Sequence, residues 1–391
     1  MTATLAEAAF GSPRAAPGPD DAPTVGVEEE FALLDPGTGA VVRRAADVIR
    51  DCDDEAGVAP EAMTYMVETR TPVCRTLTEL DHRLRCGRRR VAESARRHDA
   101  ACVATGVVPF GLPVRPPLTP EPRYLELARR FPYAFATTGS CGCHVHVGVP
   151  SRQVGVGVLL RIRRWLPALV ALTANSPIWK GMDTGWASRR YVLASRWPTA
   201  VPAPPVGTVG KYDRAVERAV SSGDALDDRS VYFLARLSPR YPTVEVRVAD
   251  VGLTADDAVC YAGLVRALVA TAAADVSSGA PVVTVPQAAL RRACGTAARV
   301  GLGGPIIDPQ SGAPVRSWEL VDALVAEVRP RLRAHGDEAA VLATLDRMRD
   351  LGGGADRQRR ALRSARSPAA LVATLAAATA SGLGAANEQE T

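Results

Sequence analysis

The stretch Thr243-Val-Glu-Val-Arg-Val-Ala-Asp250 carries a carboxylate and a guanidinium two positions apart. Its strict alternation predicts a strand, with Val244, Val246 and Val248 on one face and Thr243, Glu245 and Arg247 on the other. The valine face is expected to be core. The same pattern recurs in three other segments. Glu28 and Glu30 share a face of Thr24–Leu34 with Gly26, and Val27, Glu29 and Phe31 share the other. Met66 and Glu68 share a face just before Pro72, which ends that strand. His144 and His146 share a face of Ser140–Val149, opposite Cys143, Val145 and Val147. If the four strands lie in one sheet, several carboxylates and an imidazole converge on a polar face. Anions so gathered repel one another unless cations offset them, and such oxygen-rich sets suit Mg²⁺ or Mn²⁺. Any one of these residues taken singly reads as structural. The shared alternation is what points to a site.

Competing chemistries find less support. A zinc site at Cys141, Cys143, His144 and His146 needs all four ligands on one side, whereas an extended strand sends the cysteines away from the histidines. A histidine pair serving only as satisfied core or surface residues stays open. Gly207-Thr-Val-Gly-Lys211-Tyr212 lacks the glycine spacing and the Ser/Thr of a phosphate-binding loop. No GxGxxG follows a strand, and no Gly-x-Ser-x-Gly elbow exists. A nucleotide would have to be held by metals and arginines.

These strands must be positioned by the rest of the 391 residues, enough for one large domain or two. Residues 1–23 are Ala/Pro/Gly-rich and predicted to be disordered. Asp35-Pro-Gly-Thr-Gly39 predicts a turn back into Val41-Val42, and a helix follows through Val48 and Ile49. Thr76-Leu-Thr-Glu79 has the form of a capping box opening an arginine-rich helix. In that helix, Leu80, Leu84 and Val91 form an apolar side, and the run Arg83–Arg97 reads as a solvated face. Cys102–Gly106 is a short strand, and 109–122 and 198–210 are proline-rich loops. Leu159–Asn175 is an apolar helix interrupted at Pro167, leading into the loop Ser176–Arg190. Ala255–Ala274 is helical behind Thr254 as N-cap, and helices continue from Gln287, broken at 301–314 and 352–354. Strands separated by long helices predict an α+β fold with a largely antiparallel sheet, one face polar and the other covered.

The net charge of +5 is too mild to argue for nucleic acid, and lysine occurs only at Lys180 and Lys211. Eight cysteines without a CxxC pair read as reduced, buried residues of a cytoplasmic protein. No run of eighteen apolar residues suggests a membrane span, and no signal peptide is apparent.

Several motifs together resemble the type 2 glutamate–cysteine ligase family, the YbdK-like carboxylate–amine ligases. They are Gly26-Val-Glu-Glu-Glu-Phe31, Val67-Glu-Thr-Arg-Thr-Pro72, Cys141-Gly-Cys-His-Val-His-Val-Gly148, Ala174–Ser188, Thr243–Asp250 and Gly353–Arg359. The resemblance spans residues 24–365. It implies a glutamine-synthetase-like catalytic domain over 24–365, with a curved antiparallel sheet forming a funnel and helices outside. Residues 366–391 would be an alanine-rich helix and tail. It implies ATP and two or three Mg²⁺ ions, with metal ligands at Glu28, Glu30, Glu61, Glu68, His144 and Glu245. Arg247 and Lys180 would meet phosphates, Arg247 with Glu245 would be catalytic, and Arg189, His146 and Arg123 would touch small-molecule substrates. The implied reaction joins L-glutamate and L-cysteine through an acyl phosphate; a homo-oligomer is compatible with it. Members carry Gly-Thr-His-Pro-Phe where this chain has Gly106-Val-Val-Pro-Phe110, so Val108 replaces a histidine. Another acid–amine pair, a non-catalytic nucleotide- or metal-binding homologue, and a zinc-binding structural protein are the alternatives.

Overall fold

A computed structural model describes residues 22–52, 57–110, 113, 117–135 and 139–382. The tail read as disordered therefore lies, up to residue 21, outside the described residues. The first nine strands in chain order are β1 (Val25–Leu34), β2 (Val58–Pro60), β3 (Met66–Arg70), β4 (Ala101–Val103), β5 (Gly142–Gly148), β6 (Ile178–Trp179), β7 (Met182–Asp183), β8 (Ala235–Leu237) and β9 (Thr243–Asp250). Strands β6 and β7 form a separate ribbon. The others make one open sheet in the order β2-β3-β1-β5-β9-β8, with β4 against the far end of β1. Every pairing is antiparallel.

The four strands with polar faces are thus consecutive neighbours, β3-β1-β5-β9, and their register aligns the polar positions. Glu30 pairs with Glu68, Glu28 with His144, and His146 with Glu245. Directly opposite residues in a sheet have their Cβ atoms about 5 Å apart, so their functional groups can meet. Gly26 stands opposite His146.

One irregularity changes the face assignment. Between β5 and β9, the two-residue step Cys143–Val145 faces the three-residue step Ala249–Val246. An extra residue in one strand reverses the alternation beyond it. Val248 keeps its expected place in the apolar cluster but also borders the cleft, and Asp250 comes opposite Gly142.

Helices cover the other face. The helix Leu77–Arg97 opens where Thr76 Oγ1 accepts from Glu79 N at 3.1 Å. The helix Ala255–Ser277 opens on a capping box between Thr254 and Asp257. Leu80, Leu84, Leu264 and Leu268 join Val27, Val145 and Val246 in one apolar cluster. Ala255–Ser277 has the length and apolarity to cross a membrane, but 67% of its most apolar window is buried within the protein. Arg88 departs from the solvated face expected of the arginine-rich helix. It is fully buried, with its guanidinium on Glu29.

The break expected at Pro167 is a 3₁₀ turn, Arg163–Trp165, and Pro167 itself lies in the first turn of Leu166–Thr173, where its missing N–H costs nothing. The hairpin at Val41-Val42 reduces to a single bridge from Val41 to Leu34. The stretch 301–314 holds strand Pro305–Ile307, which pairs with Pro314–Arg316. Pro368–Thr379 forms a helix that buries Leu371, Val372 and Leu375 in the same cluster as Val103 and Val91.

Candidate active site

Two groups of acidic and imidazole side chains stand on the open face. In the first, Glu28, His146 and Glu245 each bring a ligand atom within 4.8 Å of the others, and Glu30, Glu61 and Glu68 do the same in the second. His146 Nδ1 is 3.0 Å from Thr243 Oγ1. Its Nε2 is buried without a hydrogen-bond partner, 3.7 Å from Glu28 Oε1 and 4.0 Å from Glu245 Oε1. His144 sits beside this group, with Nδ1 3.2 Å from Glu28 Oε2 and 3.4 Å from Arg247 Nη1. Neither group contains a cysteine. Cys141 and Cys143 are buried on the apolar side, and none of the eight cysteines is in a disulfide.

The carboxylates titrate unequally. Burial raises Glu28, but the His144 hydrogen bond and the charges of both imidazoles outweigh it and hold the carboxyl at about 2. Burial, then the Glu30 charge, push Glu61 up to about 7. Burial, then Glu28, push Glu68 well above the usual range, although Arg70 pairs with it. Glu245 is also buried, yet Arg247 and Arg236 outweigh that burial and keep it well below its usual value. Glu61 and Glu68 therefore hold proton affinity that a cation could replace, whereas Glu28 and Glu245 are already anionic.

Arg236 was not anticipated. It donates to Glu245 through Nε at 2.8 Å and Nη2 at 3.3 Å, and its Nη1 reaches the carbonyls of Arg229 and Val231. The signal was present in the sequence. Leu234-Ala-Arg-Leu237 and Thr243-Val-Glu flank the turn residues Ser238-Pro-Arg-Tyr-Pro242, so a hairpin brings positions 236 and 245 opposite one another.

A cleft of about 1020 Å³, counting the solvent at its mouth, opens beside the second group. Glu30, Glu61, His144, Arg190 and Arg247 line its polar side. Tyr124, Leu127, Phe135, Trp197, Tyr232 and Leu234 line the other. Tyr124 donates to Glu61 at 3.1 Å. Trp197 meets Tyr232 edge-on at 5.1 Å. The Arg247 guanidinium lies 5.8 Å from the Tyr232 ring centre and pairs with Glu245.

Other candidates lie apart from the cleft wall. Lys180 is exposed in the β6–β7 turn at φ 51°. Arg123 is paired with Asp227. Arg189 is half-buried and does not line the cleft, whereas its neighbour Arg190 does. Val108 is buried in the apolar cluster around β4.

The sequence profile of glutamate–cysteine ligase family 2 matches residues 24–376. The chain belongs to that family. A Saccharopolyspora erythraea protein named "Putative glutamate--cysteine ligase 2-1" is 44% identical over 340 residues, covering 87% of this chain and 90% of the relative. The Mycolicibacterium vanbaalenii protein named "Putative glutamate--cysteine ligase 2-2" is 42% identical over 360 residues, covering 92% and 98%. Among solved structures, the Francisella tularensis glutamate–cysteine ligase in complex with AMP superposes with a TM-score of 0.65 at 13% identity, covering 92% of each chain. The Pasteurella multocida bifunctional glutathione synthetase gives 0.66 at 16% identity, and this chain spans 52% of its length. The α+β fold of family 2 here, an open antiparallel sheet backed by helices, is glutamine-synthetase-like, as the motifs implied.

Proposed function

We propose that this family 2 member is an ATP-dependent carboxylate–amine ligase. It phosphorylates a substrate carboxylate to an acyl phosphate and lets an amine displace the phosphate to form an amide. The pair suggested by the family is L-glutamate with L-cysteine. The observation that carries the reading is His146 Nε2, buried, unpartnered and facing two carboxylates. An orphaned nitrogen beside two anions costs several kcal/mol unless a cation completes the set. Glu28, His146 and Glu245 would hold one divalent ion, with His144 alongside, and Glu30, Glu61 and Glu68 a second; oxygen-dominated donors fit Mg²⁺ or Mn²⁺. Bound there, such ions would supply charge neutralisation at the phosphoryl oxygens.

The protein's own groups do the rest. Arg247, fixed by Glu245, aims a guanidinium into the cleft where charge develops on the transferring phosphoryl group. Arg236 holds Glu245 from the other side and so fixes Arg247 indirectly. In the first step the substrate carboxylate oxygen bonds to the γ-phosphorus and ADP leaves. In the second the amine nitrogen bonds to the acyl carbon, phosphate leaves with the C–O bond electrons, and the amine loses its proton. No enzyme nucleophile is needed. This agrees with the thiols at the start of β5, Cys141 and Cys143, which burial pushes well above the usual range. The apolar half of the cleft favours a second reading of the substrate pair, in which the acid or the amine carries an apolar group.

The test is ADP release with ATP and Mg²⁺ across a grid of acids and amines, with products detected by mass. Amide formation with at least one pair is expected. Release no faster than the substrate-free background for every pair would overturn the proposal.

A further inference from the structure

No residue of the motif Gly353–Arg359 lines the cleft, yet the motif is packed against the segment that builds one of its walls. Arg190, Tyr191, Leu193, Ala194, Ser195 and Trp197 form that wall and follow closely along the chain. The helix Arg189–Ala194 opens the segment, with Ser188 as its N-cap. Its start is held from outside the cleft. Ser188 Oγ and Ser176 Oγ donate to Asp250 at 2.8 and 2.6 Å, and Asn175 N donates to the same carboxylate at 2.8 Å. The charge of Arg190 acts on Asp250 as well, and Arg190 N donates to Ser176 Oγ at 3.0 Å. The wall is therefore placed by Asn175, Ser176 and Asp250.

Asn175 is in turn held by Gln358, on the helix Gly354–Ser364. Asn175 Nδ2 donates to the carbonyls of Ala104 and Val251 at 3.2 and 2.9 Å. These two acceptors fix the orientation of its amide, so Asn175 Oδ1 faces the helix. Gln358 must meet that oxygen with its NH₂. Its Nε2 stands 2.8 Å from Asn175 Oδ1, 2.8 Å from Asn175 O and 3.2 Å from Thr105 Oγ1. The Thr105 hydroxyl donates its one proton to Val107 O, so toward Gln358 it only accepts. Gln358 Oε1, by contrast, is buried without a hydrogen-bond partner. A buried amide oxygen left in that way is destabilising, so a hydrocarbon would pack better here except for what the NH₂ holds. The surrounding fit is close. A Cβ on Gly354 would lie 2.5 Å from Asn175 Oδ1, Ala355 N donates to Ala174 O at 2.9 Å, and Ala174, Ala187 and Ala355 pack together.

We propose that Gln358 is a positioning residue for the cleft. It locks Asn175, and through Asn175 and Asp250 it sets where Arg190 and the rest of the wall stand, without touching a substrate itself. Three converging acceptors select an amide donor at this position. Glutamate has the right shape and the wrong polarity; methionine has a similar size and no donor. The consequence for turnover rests on the ligase reading, whereas the hold on the wall does not.

Hydrogen–deuterium exchange with mass detection is followed in the intact wild type, Gln358→Met and Gln358→Glu, with Mg²⁺ and no substrate. Amides of 188–195 should exchange about 10-fold faster in Gln358→Met, the loss of a neutral hydrogen bond. They should exchange faster still in Gln358→Glu, whose carboxylate faces three acceptors. Amides of β1 and β5 should exchange as in wild type. With a productive substrate pair, apparent KM should rise about 10-fold while kcat stays within about threefold, because the groups on the sheet are untouched. Gln358→Met decides alone if Gln358→Glu does not fold. Unchanged exchange at 188–195, equal acceleration in β1 and β5, a milder effect of Gln358→Glu than of Gln358→Met, or a fall in kcat at unchanged KM would each overturn the proposal. Faster exchange at 188–195 in a protein that never releases ADP would instead leave the positioning role standing and remove the ligase reading.

Discussion

Three consecutive glutamates on β1 have opposite surroundings. Glu29 points to the helix-covered face and is fully buried, its two oxygens 2.5 and 3.0 Å from Arg88 Nη2 and Nε. Arg88 also donates to the carbonyls of Gly252 and Thr379, so the pair is saturated and ties β1, Leu77–Arg97 and Pro368–Thr379 together. Glu28 and Glu30 point to the open face, where no arginine is dedicated to either. Glu28 leans on imidazoles, and Glu30 accepts one backbone N–H, from Gly142 at 2.6 Å. Residue type is identical, and Glu30 is buried nearly as deeply as Glu29 while Glu28 is partly exposed; the deciding difference is whether the charge is satisfied from within the chain. A saturated carboxylate has nothing left to offer a ligand. A gathered, under-partnered set is tolerable in a stable protein when something else binds it, and that contrast separates architecture from site.

The contrast is broken most strongly on the architectural side. Arg88→Ala strands an anion in the apolar layer and should cost about 3–5 kcal/mol in denaturant or thermal unfolding. Glu29→Leu combined with Arg88→Met should recover most of that loss. A single substitution as mild as the double one would mean the pair does not anchor the helix layer. On the open face the signs exchange. Glu28→Gln forfeits the imidazole contacts that hold the carboxylate anionic, but the side chain is partly exposed, so it should destabilise the fold less than Arg88→Ala. It should nonetheless lower ADP release about 10³-fold, or about 4 kcal/mol of barrier. Turnover within tenfold of wild type would remove Glu28 from the site. Glu245→Gln is a less clean probe, since it also leaves Arg236 and Arg247 without their buried partner and should lower stability as well as turnover.

Alternation made the four polar strands legible, and the motifs made the family and fold legible. The capped helices at Thr76 and Thr254 and the burial of the valine faces follow from local rules that need no tertiary context. What stayed hidden depends on context. Nothing in the run Arg83–Arg97 separates Arg88 from its neighbours except its distance from Glu29 in the folded chain. The irregular pairing between β5 and β9 lets the buried Val248 border the cleft and brings Asp250 beside Gly142, and strict alternation cannot register an extra residue. Arg190 and Arg189 are adjacent and chemically the same; only the path of the loop on Asp250 turns one of them into the cleft. Arg236 could have been found from the hairpin. The grouping of His146 rather than His144 with Glu28 and Glu245 depends on side-chain directions that period two leaves equal.

The smallest expected effect sharpens the comparison most directly. If the open face is under-partnered, Mg²⁺ should stabilise the folded chain by mass action, by about 2.7 kcal/mol at a concentration one hundred times its dissociation constant. Glu29→Gln lowers the starting stability but leaves the site face untouched, so Mg²⁺ should raise its melting temperature by the same increment as in wild type. Glu28→Gln should lose part of that increment whatever its starting stability, and Glu30→Gln likewise, since each removes a donor from one of the two groups. Thermal unfolding with Mg²⁺ and with chelator measures all four proteins without any assumption about substrates. Equal increments in all of them would mean that Glu28 and Glu30 are as saturated as Glu29, and the distinction between the two faces would fail.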